Sequence, residues 1–315
     1  LFTGPHQSLT SFFNAVKPAL LKETEAITKN MRQRGGGILD IELLNSTKSI
    51  SNYYQLHVRF ETANAMGANF INSCLEQLAQ TLQNEAAIYP HFSETEKQIE
   101  VVMSILSNYV PGSRVKAWVS CPIAELGGDG DILAKKFVQA IEISHHNTYR
   151  AVTHNKGIMN GIDALAIATG NDFRAVEASI HAYAAKDGSY RGLSKTRIEK
   201  DVFWFELEIP LAVGTVGGLT KLHPMVQWSN QLLQNPNAKE LMQIMAVSGL
   251  AQNFAALRSL VTTGIQKGHM KMHLLNILNQ MGANQSEKEA MIKHFTTNVV
   301  SFNAVEQALS AWRKN

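Results

Sequence analysis

The glycine triplet Gly35-Gly36-Gly37 constrains the fold most, because the hydrophobic period changes across it. Before it, Phe13, Val16, Leu20, Leu21 and Ile27 recur at roughly helical spacing, and the segment ends in the basic run Lys29-Asn30-Met31-Arg32-Gln33-Arg34. After it, Leu39, Ile41 and Leu43 alternate with Asp40 and Glu42. Beyond a polar turn, Leu56, Val58 and Phe60 alternate with His57, Arg59 and Glu61. A period of two on both sides of a turn predicts a hairpin. Asn64 is placed to cap the helix that follows, whose Ile71, Cys74, Leu75, Leu78 and Leu82 make one apolar stripe. Strand-like segments at 99–105 and 114–120 complete a small α+β unit that ends near Pro122.

Beyond 123 the character changes to Ala- and Gly-rich helices, with one alternating strand in Phe203, Phe205, Leu207 and Ile209 against Trp204, Glu206 and Glu208. The expected class is therefore α+β, in four parts: a helical segment 1–34, the small unit 35–122, a larger and mostly helical domain 123–265, and a helical tail 266–315. The loop Gly282-Ala283-Asn284-Gln285-Ser286 joins two amphipathic pieces of that tail.

With 315 residues, of which 45% are hydrophobic and 17% charged, the chain can bury a sizeable core. No stretch reaches the roughly 18 uninterrupted apolar residues of a membrane helix, and Leu1-Phe2-Thr3-Gly4-Pro5 lacks a charged leader region. Cys74 and Cys121 are the two cysteines, neither with a second cysteine at metal-ligand spacing. A soluble protein of a reducing cytoplasm is expected, with no membrane partner. A net charge of +3 is too small to imply nucleic-acid binding, although it suits anionic ligands.

Three residues sit in small, crowded settings: Lys156 in Thr153-His154-Asn155-Lys156-Gly157, Asp172 in Thr169-Gly170-Asn171-Asp172, and His269 in Gly268-His269-Met270. A fixed positive charge, a carboxylate to tune it and a group that gives up a proton near neutral pH are the equipment for reducing an activated carbonyl. The apolar helix after Lys156 points to a partly buried ammonium. Each residue also has another explanation: Asp172 as a helix cap, Lys156 as a solvated surface lysine, and His269 with His273, four apart on one helix face, as metal ligands of a hydrolase. Met270-Lys271-Met272 between those histidines holds no glutamate to serve a zinc hydrolase, so no metal is expected. No G-x-G-x-x-G follows a strand, so a nicotinamide cofactor would need another cradle. Asn64-Ala65-Met66-Gly67-Ala68-Asn69 offers backbone N–H groups at a helix start, and Gly214-Thr215-Val216-Gly217-Gly218-Leu219-Thr220 is a second glycine-rich turn.

Six of these segments occur in one order: 64–69, Thr153 to Gly161, Ala168 to Asp172, 214–220, Leu250-Ala251-Gln252-Asn253 and Gly264 to Met270. In that order they resemble the soluble microbial class II of 3-hydroxy-3-methylglutaryl-coenzyme A reductases, over essentially the whole chain. The resemblance implies a small cofactor domain with a ferredoxin-like antiparallel sheet, inserted in a mostly helical acyl-CoA-binding domain, and a C-terminal helical flap. It implies four-electron reduction of hydroxymethylglutaryl-CoA to mevalonate and CoA by two NADPH, with NADH the alternative, in a homodimer or larger assembly.

By the same resemblance Lys156, Asp172 and His269 are catalytic, and Arg150, Thr153, Asn160 and Asn253 contact the acyl group. Asn64, Ala65, Met66, Gly67 and Asn69 bind the cofactor, and Lys29 and Arg32, beside the glycine triplet, favour its 2′-phosphate. Two departures stand out. The family's first cofactor residue is an aspartate where this chain has Asn64, and no Glu-Asn-Val-type segment carrying the family's catalytic glutamate is present. A CoA- or nucleotide-binding homologue without turnover is the alternative expectation.

Overall fold

The glycine triplet does separate helix from strand. The structure, a computed structural model, describes residues 1–262 and 264–314, with backbone alone for 265–272. Helix α1 (His6–Glu23) buries Leu9, Phe12, Phe13, Val16 and Leu20. The helical period does not run unbroken to residue 34: at Thr24 the hydroxyl donates to the Leu21 carbonyl at 2.7 Å, and the chain restarts as α2 (Glu25–Arg32). At Gly36 a side chain is sterically excluded, since a Cβ there would lie 2.5 Å from the Glu61 carbonyl oxygen. The end of α2 thereby packs directly on the hairpin of β1 (Gly37–Asn45) and β2 (Tyr54–Glu61), which pair antiparallel from Gly37 opposite Glu61 to Asn45 opposite Tyr54.

One expected inward residue faces out. Leu39 is 67% exposed while Ile41 is 1% exposed. The register shifts between Ile38 and Asp40, leaving Leu39 without a partner opposite it, and such a bulge turns the alternation by one residue. Ile38 packs on the core in its stead. That core joins α1, Ile41, Phe92 and the Leu78–Leu82 face of α3 (Ala68–Ile88).

Residues 99–105 form no strand and belong to no sheet, so the expected four-stranded arrangement is not formed around the hairpin. Their backbone is held individually: Leu1 N–H groups donate to Glu100 O at 2.7 Å, Glu100 N–H to Leu1 O at 3.2 Å, and Gln83 Nε2 to Ile99 O at 3.1 Å. Alternation marks a half-buried extended chain; it does not say which backbone pairs with it. The second expected strand, β3 (Arg114–Pro122), lies in a different sheet, beside the strand Val202–Pro210 that in turn pairs with Ser194–Glu199.

Four helices and two strands follow in chain order: α4 (Gly130–His146), α5 (Thr148–Ala168), α6 (Phe173–Ala184), β4 (Ser194–Glu199), β5 (Val202–Pro210) and α7 (Pro224–Leu232). Then come α8 (Ala238–Val261), α9 (Ile265–Gln280), α10 (Gln285–His294) and α11 (Phe302–Lys314). Strand β4 escaped the sequence reading because Ser194-Lys195-Thr196-Arg197-Ile198-Glu199 carries no apolar alternation. It is held by its neighbour, with Thr196 Oγ1 donating to Trp204 O at 2.6 Å and the Arg197 guanidinium 4.6 Å above the Trp204 ring.

Two compact units result. The first comprises Leu1–Lys116, Ile162–Gly188 and Glu208–Ala246, and the second Ala117–Gly161, Ser189–Leu207 and Val247–Asn315, so β3, α5, β5 and α8 run from one unit into the other. In the second unit Phe137 packs on Phe203, Phe205 and Phe254 with ring centroids 5.0–6.5 Å apart. Helix α8 is long and apolar enough, by length and composition, to cross a membrane, with a third of its most apolar window buried in the fold. A scan for uninterrupted apolar residues passes over it.

The tail packs Leu274, Ile277, Leu278, Met291, Phe295, Val305 and Leu309 into a core of its own. Helix α10 starts in a capping box, with Asn284 Oδ1 accepting from Glu287 N and Glu287 Oε2 accepting from Asn284 N at 2.7 Å. Asn284→Ala is expected to cost about 1 kcal/mol, read as a lower urea midpoint that Asn284→Asp largely restores.

Candidate active site

Helix α5 begins where the Asn147 side chain accepts the Arg150 N–H at 2.9 Å. Ala151, His154, Asn155, Ile158, Met159 and Ile162 are buried. A 3.6-residue turn therefore leaves Thr153, Lys156 and Asn160 on the opposite face, and all three are exposed. Three of the sequence candidates thus converge on one side of one helix. The partly buried ammonium expected at 156 is not observed in the single chain: Lys156 is exposed, because the small residues around it serve the inner face. At Gly161, for example, a Cβ would lie 2.7 Å from the Ser248 carbonyl oxygen, so α8 can approach only a glycine. Arg150 is half-buried, and burial lowers its pKa.

Behind that face a strap of residues 190–194 fixes the helix. Asn155 donates to Arg191 O at 2.8 Å and accepts from Leu193 N at 3.0 Å. His154 Nε2 meets Ser194 Oγ at 2.6 Å, and His145 Nε2 meets the Ser194 carbonyl at 2.9 Å. Burial, reinforced by the charges of Arg150 and His145, pushes the His154 pKa down to about 3, so the ring is neutral. Asn253, a candidate acyl contact, is buried, with Nδ2 3.5 Å from the His154 carbonyl oxygen and Oδ1 without a hydrogen-bond partner among the described residues. No role was read for His154 or Asn155 from sequence. The signal available was their place in the same motif as Lys156, at positions that a helical wheel turns inward.

In the first unit, Asp172 caps α6. Its carboxylate accepts from Arg174 N at 3.0 Å and Ala175 N at 3.4 Å and pairs with the Arg174 guanidinium at 3.0 and 3.1 Å. The Arg174 hydrogen bond is the main reason its pKa lies below the usual carboxylate value, so it stays ionised.

Asn64 does not cap α3, whose N-cap is Gly67 at φ +81° with no capping side chain. Its Oδ1 accepts instead from Ala238 N, the start of α8, at 3.0 Å. Met66 and Ala68 border a cavity of about 1520 Å3 within this unit, while Asn64 and Asn69 are exposed. Lys29 and Arg32 are exposed on α2, which the Gly36–Glu61 contact brings to the end of β2 from which the 62–69 loop departs. His269 falls on residues whose side chains lie outside the described ones; His273 is exposed. Among the described residues no cluster of three His, Cys, Asp or Glu could hold a metal.

The hydroxymethylglutaryl-coenzyme A reductase family model matches residues 5–274. The chain belongs to that family. It is 36% identical over 292 residues to the 3-hydroxy-3-methylglutaryl-coenzyme A reductase of Archaeoglobus fulgidus, an alignment covering 89% of this chain and 63% of that relative. It is also 36% identical over 284 residues to a probable reductase of the same name from Borreliella burgdorferi, covering 89% of this chain and 62% of the other. The chain thus spans less than two thirds of the length of these curated relatives. Among solved structures, the class II reductase from Streptococcus pneumoniae bound to NADPH in open conformations superposes with a TM-score of 0.72 at 36% identity, covering 96% of this chain and 72% of that one.

One further group of this reductase-family chain titrates abnormally. Asp163 on α5 has its pKa raised to about 6, by burial first and then by the charge and hydrogen bond of Glu177 on α6, and its Oδ1 is buried without a hydrogen-bond partner among the described residues. Between pH 3.8 and about 6 the folded state holds the extra proton, so this group's stabilisation is complete at low pH and is lost as pH rises through about 6. Asp163→Asn is expected to raise the melting temperature at pH 7.5 and to leave it unchanged near pH 4.

Proposed function

We propose that the protein reduces 3-hydroxy-3-methylglutaryl-coenzyme A to mevalonate and coenzyme A with two NADPH, as a homodimer or larger assembly. Family membership supports the chemistry, and the observation that carries it to residues is the outer face of α5, where Thr153, Lys156 and Asn160 stand together beside Arg150. In this reading residues 35–122 hold the cofactor, 123–265 bind the acyl-CoA and 266–315 close over both.

The arrangement suits the ligands. The Arg150 guanidinium matches the terminal carboxylate of the acyl group bidentately, with Thr153, Asn160 and Asn253 around the remaining oxygens. The uncapped N-terminus of α3, entered through Gly67 in a left-handed turn, presents backbone N–H groups to a pyrophosphate, with Ala65, Met66 and Asn69 around it. Lys29 and Arg32 supply positive charge for a 2′-phosphate. When bound, the nicotinamide supplies hydride, which carries two electrons to the thioester carbonyl carbon.

As charge grows on the carbonyl oxygen, Lys156 stabilises it, and by family resemblance Asp172, kept ionised chiefly by its hydrogen bond with Arg174, is the carboxylate that tunes the lysine. The C–S bond then breaks and His269 gives its proton to the departing thiolate. A second hydride converts the aldehyde to the alcohol, whose oxygen takes up a proton; in the family that donor is a glutamate, and no matching Glu-Asn-Val-type segment occurs in this sequence. No metal enters the scheme.

The test is absorbance at 340 nm with the full-length protein and the acyl-CoA, comparing NADPH with NADH. Thioester-dependent oxidation, faster with NADPH, is expected. Binding of coenzyme A without oxidation of either cofactor would replace this reading with that of a ligand-binding homologue.

A further inference from the structure

We infer that Asn171 is a positioning residue that ties the 64–69 loop to Asp172 through the backbone of Gly214; the inference rests on the reductase reading and adds to it a link that no motif reveals. Asn171 is engaged at three points. Its Oδ1 accepts the Gly214 N–H at 2.7 Å, its Nδ2 donates to Thr169 Oγ1 at 3.1 Å, and its backbone N–H donates to Ala166 O at 2.8 Å. Thr169 is fully buried and bonded in turn to the Leu165 carbonyl at 2.7 Å, so the amide is braced from behind by the end of α5.

Gly214, on the other side of that bond, lies flat against the loop. A Cβ on it would fall 2.5 Å from Met66 N and 3.0 Å from the Ala65 carbonyl carbon, and neither backbone atom can yield unless the loop moves. The next two N–H groups, of Thr215 and Val216, both donate to Asn64 O at 2.8 and 3.2 Å. The 64–66 backbone therefore moves with 214–216, and the 2.7 Å bond passes any shift to the residue immediately before Asp172. All of these contacts lie within the first unit. The arrangement keeps the hydride donor's seat and the lysine-tuning carboxylate in one register, which reaction geometry needs because an error near 1 Å can cost about 100-fold in rate.

Gly214→Ala and Asn171→Ala in the full-length protein test the tie. The expected result is a rise in KM for NADPH of about tenfold for the first and about fivefold for the second, with kcat lowered and KM for the acyl-CoA within about twofold of wild type. Residues that merely support the fold would move both KM values with the melting temperature, and that outcome overturns the inference. Amide exchange of the cofactor-free protein reads the same tie without turnover: residues 65–69 should exchange faster in both variants while α1 and α10 keep their rates. Unchanged exchange at 65–69 overturns the inference even if turnover is confirmed. Faster exchange there in a protein whose wild type oxidises no NADPH would retain the mechanical link and remove the reductase reading alone. Should Gly214→Ala fail to fold, Asn171→Ala, which deletes one hydrogen-bonding side chain, decides by itself.

Discussion

Lys156→Ala is expected to lower kcat for thioester-dependent NADPH oxidation by about 1000-fold, with KM for the acyl-CoA little changed, because the ammonium acts on charge that exists only in the transition state. The size of the loss is diagnostic. Two unit charges about 4 Å apart gain about 1 kcal/mol in bulk water and about 4 kcal/mol at an effective dielectric near 20. In the single chain Lys156 is exposed, so on that face alone it would be worth roughly fivefold. A 1000-fold loss therefore requires that a second subunit or the C-terminal helices exclude water in the working enzyme. Lys156→Arg should not restore the rate, since a planar fork does not reproduce a compact point charge. Steady-state kinetics at saturating NADPH make the measurement, and full activity in Lys156→Ala would end the proposal that this lysine carries the chemistry.

The second large effect concerns stability. His154 is held neutral by burial, with its pKa near 3 against an ordinary 6.5. Between those values the unfolded chain binds a proton that the folded chain refuses. The stabilisation is thus fully present above pH 6.5 and lost as pH falls, by about 1.4 kcal/mol per unit. At pH 4.5 the loss is about 3 kcal/mol, a large share of a typical total of roughly 5–15 kcal/mol. Urea unfolding of wild type and His154→Gln between pH 7.5 and 4.5 should show a flatter profile for the variant. Asp163 pulls the other way over part of this window, so the comparison is cleanest in an Asp163→Asn background, where the wild-type slope steepens. An identical slope with and without His154 would mean that the imidazole is not neutral in the fold.

Much of the architecture was legible because it rests on local periodicity. Phe13, Val16 and Leu20 on α1, the Cys74-Leu78-Leu82 stripe on α3 and the alternation in β2 and β5 record which side of an element meets the core. Failures arose wherever a residue's state is set by something distant in sequence. Leu39 turned outward through a bulge, β4 exists through β5, and residues 99–105 join no sheet. The same division runs through the site. The motifs put Thr153, Lys156 and Asn160 on one helix face, which helical geometry alone guarantees. That Asn64 accepts the Ala238 N–H at the start of α8 instead of capping α3, and that Asp172 pairs with Arg174, depended on which donors the fold brings near.

By itself, the order of residues determined the family, the hairpin, the strand β5 and the helix stripes with their own period, and the chemical types gathered on α5, since composition, spacing and helical pitch belong to the chain before it folds. Only the tertiary structure decided burial, charge state and hydrogen-bond partners: the neutrality of His154, the exposure of Lys156, the raised pKa of Asp163 and the seat of Gly214 on Ala65 and Met66. These are properties of surroundings, and the surroundings come from segments tens to hundreds of residues apart.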